Sequence, residues 1–299
     1  MNLQVVTQLA DFMVERQEIW FKKEILKQPY PWTEDDRLKK GFFTNVYRDE
    51  DKTTKAVFKV LDTLKEPYLI LYNIFCMNFF NYKPTIEKFF PIYTREDAEY
   101  IADEIQIMRS NGERVFTSAI FPPKPKKNSG DVFFNSKLIL TSYYDQLEVD
   151  RTKIDSVSTA YELILLFCTF RSVGFFRAYE IYLSFVPYIK HWLREDGRAK
   201  FMEDDYVFIG PGARKLYVEI FGDNNYVFKK IYPKMLELQK VLREILVEKN
   251  FKFKDNEKTL TLRMIEGSMC EYRKYLTMKE RRGAAVRSYV KLVLKESKL

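Results

Sequence analysis

Three short stretches of this chain set ionisable side chains into otherwise apolar sequence, where an uncompensated charge is expensive. In "FFTNVYRDEDKTT" (42–54), Asn45, Arg48 and Asp51 alternate with Phe43, Val46 and Tyr47. Arg48 can offer a planar fork to a phosphate or carboxylate, and Asn45 can both donate and accept toward a base edge. Arg48 and Asp51 are three apart and would share a helix face. In "VGFFRAYEIYLSFVPY" (173–188), Arg177 and Glu180 have the same spacing. In "GSMCEYRKYL" (267–276), Glu271, Lys274 and Tyr275 fall on one face, placing a carboxylate base beside an ammonium as proton transfer from an amine or hydroxyl requires. Each block also has a plainer account: a helix cap with an internal ion pair, a structural Arg177–Glu180 pair, and an exposed Glu–Lys helix pair.

A fourth stretch, "DDYVFIGPGARKLYVEIFG" (204–222), offers a place for an anion. Gly210, Pro211 and Gly212 make a tight turn. The helix that follows opens with Arg214 and Lys215, its first amides lacking partners within the helix. Set between helices, this turn has the form of a hairpin that clamps one DNA backbone phosphate without reading bases, although an ordinary interhelical turn would look the same. Residues 271–299 carry nine Lys/Arg against three Asp/Glu, most of the formal excess of +8. Arg281 and Arg282 lie in that tail, which is either a basic face for a polyanion or a solvated terminal helix.

Other chemistries are disfavoured. Cys76, Cys168 and Cys270 are far apart and in no metal-ligand spacing, which fits a reducing compartment. His191 is the only histidine, so no multi-His metal site can form, and no GxSxG accompanies it. Neither GxxxxGK[ST] nor GxGxxG occurs, so a P-loop is absent from the sequence. The first twenty residues lack the pattern of a signal peptide, and apolar runs such as "ELILLFCTF" are too short to span a bilayer. A soluble cytoplasmic protein is expected.

The elements that must position these groups read as helices. Gly is scarce at 10 residues of 299, and periodicity is helical through most of the chain. Helices are expected over 3–28, 49–66, 67–82, about 94–110, 157–170, 174–194, 213–221 and 227–249, followed by a last basic helix. Thr94 and Asp97 make a capping box. The segment "FNSKLILTSYYDQL" is ambiguous, "NFKFKDNEKTLTLRMIEG" could hold a short strand pair, and "FPPKPKKNSGD" (121–131) is a flexible loop or a lobe boundary. The expectation is a mainly α fold forming one domain over 1–299, with its polar blocks meeting around one cleft.

In their order, "PWTEDDRLKKGFFTNVYRDEDKTT", "VFTSAI", "VGFFRAYEIYLSF", "FIGPGARK" and "MCEYRKY" followed by "RRG" resemble the DNA base hypermodification family. Its members are alpha-glutamyl/putrescinyl thymine pyrophosphorylases, or amino acid:DNA transferases. The helical domain of 5-hydroxymethyluracil DNA kinases is a sister group. The matching blocks run from about 31 to 283. One departure is Glu180, where the family often has Gln. The resemblance implies a helix-hairpin-helix, glycosylase-like fold and modification of thymine-like bases in phage or viral DNA. It implies a transferase in which an amine or amino acid displaces pyrophosphate at the C5 methylene of an activated 5-hydroxymethyluracil in double-stranded DNA. In that chemistry Glu271 is the base, with Asp51 or Glu180 in reserve. Asn45, Arg48, Lys274, Tyr275 and Arg177 bind substrate, and Gly210, Gly212, Arg214, Lys215, Arg281 and Arg282 bind DNA. Mg2+ would be needed only to accompany pyrophosphate. A kinase or glycosylase on the same scaffold, the kinase handicapped by the missing P-loop, and a non-catalytic DNA-binding module are the alternatives.

Overall fold

A computed structural model describes residues 1–117, 132–189 and 201–278, of which 132–135 are described by their backbone alone. Among these residues the regular structure is helical and no strand occurs. In chain order the α-helices are α1 (Leu3–Trp20), α2 (Asp36–Lys40), α3 (Lys52–Leu61), α4 (Pro67–Phe80), α5 (Lys83–Phe89) and α6 (Arg95–Ser110), then α7 (Val132–Ser156), α8 (Ala160–Phe167), α9 (Phe175–Phe185), α10 (Arg214–Phe221), α11 (Phe228–Glu248) and α12 (Leu262–Thr277). The described residues divide into two compact units: one of those within 1–51 and 206–278, the other of those within 52–205. The 121–131 loop, His191, Arg281 and Arg282 lie outside the described residues.

The first unit is built on α1, α10, α11 and α12. α1 buries Val6, Leu9, Ala10, Met13 and Gln17, a single stripe at helical spacing. α12 turns Leu262, Ile265, Met269 and Tyr272 inward in the same way. These side chains join Leu216, Tyr217, Leu238 and Leu242 in one core. Phe12 links α1 to α12 through ring contacts with Tyr272 and Tyr275, centroids 5.3 and 5.4 Å apart.

In the second unit α4 is buried nearly all round. Pro67 starts it, the Glu66 side chain accepts the Leu69 amide hydrogen, and Asn81 ends it in the left-handed region (φ 42°). Phe75 on α4 packs against Tyr143, Phe167 and Phe170. Asn73, wholly buried, accepts from the Ile92 amide (2.7 Å) and donates to the carbonyls of Leu69 and Ile92 (2.9 and 2.8 Å). The Thr94–Asp97 capping box is present.

Several boundaries differ from the sequence reading. The ambiguous stretch near 134–147 belongs to a helix of 25 residues. The first helix stops at Trp20 and continues as a π turn over Phe21–Ile25, with Lys27 at positive φ. The expected strand pair does not form: 251–260 is an irregular connection whose polar backbone is satisfied by side chains. Gln239 donates to the Leu260 carbonyl (2.7 Å), Arg243 to that of Glu257, and Tyr47 to that of Thr259 (3.3 Å). Thr261 then caps α12. The expected helix over 49–66 is shortened to α3, so Arg48–Glu50 form a 3-10 turn and Asp51 is extended (ψ 139°). No helix among the described residues is long and apolar enough to cross a membrane.

Candidate functional site

One helix, α12, carries Glu271, Lys274 and Tyr275, and two other segments of the same unit fold against it. The first is 42–51. Arg16, buried on α1, donates to the carbonyls of Phe43 and Thr44 (3.0 and 3.2 Å) and so fixes the path of this segment. Asp51 Oδ1 accepts from both the backbone amide and the side-chain Nδ2 of Asn45 (2.9 and 3.1 Å). Its Oδ2 lies 2.8 Å from Arg48 Nη1. The ion pair expected between Arg48 and Asp51 therefore forms, across a 3-10 turn rather than along a helix face. α12 passes beside Arg48 at Gly267, where an added Cβ would stand 3.7 Å from Arg48 Cδ, an ordinary contact.

Burial is the largest influence on the Asp51 carboxyl and pushes it up. Arg48, the Asn45 amide and Arg16 draw it down and the charge of Glu271 pushes it further up, leaving it above the ordinary carboxylate value. Asn45, Arg48, Asp51 and Glu271 are thus neighbours. Lys274 joins them, keeping the expected pair with Glu271 and adding contacts to the 42–51 segment. Its ammonium donates to the Phe42 carbonyl, pairs with Glu271 Oε2 (3.2 Å) and lies 4.9 Å from the centre of the Phe43 ring. Lys274 thereby ties α12 to the 42–51 segment.

Tyr275, one residue on, faces elsewhere. Its hydroxyl donates to Asp35 Oδ2 (2.6 Å), and the Arg37 guanidinium lies 4.4 Å from its ring centre. Asp35 caps α2 through the amides of Arg37 and Leu38. Burial pushes the Asp35 carboxyl up, but Tyr275, those two amides and the Arg37 charge together hold it below its ordinary value. Tyr275 borders a groove of about 510 Å³ whose walls include Phe12, Glu15, Glu34 and Asp35. That acidic lining suits no phosphate.

The second segment against α12 is the Gly-Pro-Gly turn. An irregular run, 206–209, leads into it rather than a helix. The Gly210 carbonyl accepts from the amides of Ala213 and Arg214 (3.0 and 3.2 Å), so Gly210 acts as the cap of the helical turn. Its own amide points inward, donating to Oε1 of the buried Glu266 (3.0 Å). The expectation that the Gly210 amide faces a phosphate is corrected by this bond. Pro211, Gly212, Arg214 and Lys215 are exposed. Arg214 lies over the Tyr226 ring, 4.8 Å from its centre, with Nε 3.4 Å from the Ile209 carbonyl. Gly212 is dictated by close approach, not by positive φ: a Cβ there would collide with Cys270 Sγ. Neither Glu266 nor Cys270 stood out in the sequence. The only available signal was their i, i+4 spacing, which places both on one face of α12.

Arg177 and Glu180 belong to the second unit, on α9. Arg177 is buried, donates to the Ser172 carbonyl (3.3 Å) and lies beside the Tyr143 hydroxyl. That unit also holds a pocket of about 220 Å³ lined by Tyr68, Tyr72, Tyr93 and Tyr144. Among the described residues no group of three or more His, Cys, Asp or Glu could hold a metal ion.

A family described as "5-hmdU DNA kinase, helical domain" matches residues 3–284. A 5-hmdU DNA kinase of Bacillus phage SP10 is 30% identical over 280 residues, covering 88% of this chain and 43% of that protein. The chain therefore spans less than half the length of this curated relative. No solved structure matches it.

Proposed function

The chain belongs to the family of 5-hmdU DNA kinase helical domains, and from that membership we propose that it binds DNA carrying 5-hydroxymethyluracil and serves in a transfer reaction at the 5-hydroxymethyl group. Its two units would act together as one base-modification domain, in the cytoplasm of a phage-infected cell. The observation that carries this reading is Asp51, a carboxylate set in a mostly buried site between Arg48 and Asn45, raised by burial and close enough to feel the charge of Glu271. A base of this kind accepts a proton from a poor nucleophile, while an adjacent guanidinium meets developing phosphate charge.

Two reactions use such a pair. In phosphorylation, favoured by the name of the phage relative, the hydroxymethyl oxygen attacks a nucleotide's terminal phosphoryl group. Its proton passes to Asp51 and the nucleoside diphosphate leaves. In amine transfer, favoured by the second carboxylate at Glu271, an amine or amino acid nitrogen attacks the C5 methylene. The C–O bond to pyrophosphate breaks, Arg48 meets the leaving charge, and Glu271 or Asp51 takes the nitrogen's proton. In either case the base must leave the helical stack, with Asn45 orienting it. Gly212, Arg214 and Lys215 would hold a backbone phosphate, and Mg2+ would come with the phosphate chains.

The test is nucleoside mass spectrometry on duplex DNA containing 5-hydroxymethyluracil or its pyrophosphoryl form, incubated with ATP or with amines. Phosphorylation adds a phosphate mass to the first substrate, and amine transfer adds an amine mass to the second. Glu271→Gln should slow amine transfer about a hundredfold or more with DNA affinity unchanged. Equal affinity for 5-hydroxymethyluracil and thymine duplexes, with no mass change in any mixture, would refute the proposal.

A further inference from the structure

We infer that Glu266 is a positioning residue for DNA contact: by holding the buried Gly210 amide from below, its carboxylate sets the attitude of the exposed Pro211-Gly212 tip of the turn against α12. The inference rests on the reading that this turn meets a DNA phosphate. Glu266 is 8% exposed, on a face of α12 shared with Ile265 and Met269, where a carboxylate is costly unless its oxygens are bonded. It accepts from the Gly210 amide at 3.0 Å in buried surroundings. Gly210 also caps the helical turn leading into α10, through its bonds to the amides of Ala213 and Arg214. One residue therefore joins the start of α10 to α12 by both of its backbone groups. Four positions along α12, Cys270 fills the space beneath Gly212. The two contacts lie one helical turn apart, so the turn is braced against α12 at both of its glycines.

A negative charge beneath a phosphate site works against the ligand. Glu266 must therefore act through geometry, which separates it from residues that attract DNA. Removing the charge while keeping the acceptor should be harmless or favourable, and removing the acceptor should be harmful.

The test uses full-length Glu266→Gln, Glu266→Ala and the double variant Arg214→Ala/Lys215→Ala, with a 5-hydroxymethyluracil duplex titrated at several salt concentrations. Glu266→Gln is expected to bind as tightly as the parent or more tightly. Glu266→Ala should bind about three- to tenfold more weakly, the worth of one hydrogen bond. Its salt dependence should flatten by up to about 0.9 in log–log slope, one phosphate contact. A folded Glu266→Ala with parental affinity and slope, beside a weakened double variant, overturns the inference and leaves the DNA-contact reading standing. A double variant with parental binding refutes that reading, and the inference with it. Should Glu266→Ala not fold, hydrogen exchange of the Gly210 amide in the parent decides: protection is expected, and exchange at the rate of an open loop overturns the inference.

Discussion

Replacing Gly212 by Ala probes the closest approach in the candidate site. The added Cβ would collide with Cys270 Sγ, so the thiol must swing to another rotamer in a packed site or the turn must shift. The turn is tied through Gly210 to Glu266, Ala213 behind it is wholly buried, and Cys270 sits in the middle of a sixteen-residue helix. Overpacking of this kind costs about 1–3 kcal/mol, and we expect about 2 kcal/mol. Cys270→Ala alone removes one half-buried sulfur, worth about 1 kcal/mol by the scale of a buried methylene. In the double variant the nearest atom to the new Cβ becomes that of residue 270 at 3.5 Å, an ordinary contact. Gly212 is not among the glycines at positive φ, so Ala is also tolerated by the backbone and narrows the unfolded ensemble by about 0.5 kcal/mol. Simple addition gives a loss of about 3 kcal/mol for the pair, whereas relief of the collision leaves about 0.5 kcal/mol, a coupling of about 2.5 kcal/mol. Urea unfolding followed by far-ultraviolet circular dichroism and by tryptophan fluorescence, to which Trp20 and Trp32 contribute from this unit, measures all four proteins. Additivity within about 0.5 kcal/mol, or an undiminished Gly212→Ala, would refute the reasoning.

Tyr275→Phe should cost about 1 kcal/mol near neutral pH by removing the hydroxyl bonded to Asp35. Because the Asp35 carboxyl is held below its ordinary value, that stabilisation is present above the unfolded value and lost as pH falls through the folded one, so urea unfolding should show the two proteins converging in acid. Asp51 behaves oppositely: its folded value is raised, so the parent should lose stability relative to Asp51→Asn as pH rises from about 4 through the folded value. The same variant should turn over about a hundredfold more slowly, and the parent's rate should rise with pH through the Asp51 titration. Asn73→Ala leaves the amide and carbonyl of Ile92 without their partner; a loss of about 3 kcal/mol and faster hydrogen exchange at the Ile92 amide are expected.

The helical class was legible because helical stripes such as Val6–Leu9–Met13 and caps such as Thr94–Asp97 are local signals. The missing strand pair at 251–260 shows where local signals stop. Its carbonyls are taken by Gln239 and Arg243, which adjacent sequence does not reveal. The meeting of 42–51 with α12 could be read from residue type, since Arg48, Asp51 and Glu271 all needed partners within apolar surroundings. The same argument could not find Lys274 on the Phe42 carbonyl, because a backbone oxygen carries no signature in sequence. It also missed Glu266, which is separated from Gly210 by 56 positions and by the whole of α11. The part assigned to Arg177 and Glu180 drew on the same reasoning, but both residues belong to the other unit, where Arg177 donates to the Ser172 carbonyl.

The packing of Gly212 on Cys270 has a consequence for how this sequence can drift. A side chain at 212 comes cheaply only where 270 has first become small, so the two positions change more readily in one order than in the other. A chain that has undergone Cys270→Ala while keeping Gly212 is the milder stepping stone, and one that has undergone Gly212→Ala while keeping Cys270 bears the full cost of the collision. Among homologues, 212 and 270 should therefore vary as a linked pair although 57 intervening residues separate them. Neighbouring surface positions such as Glu219 would remain free to change alone.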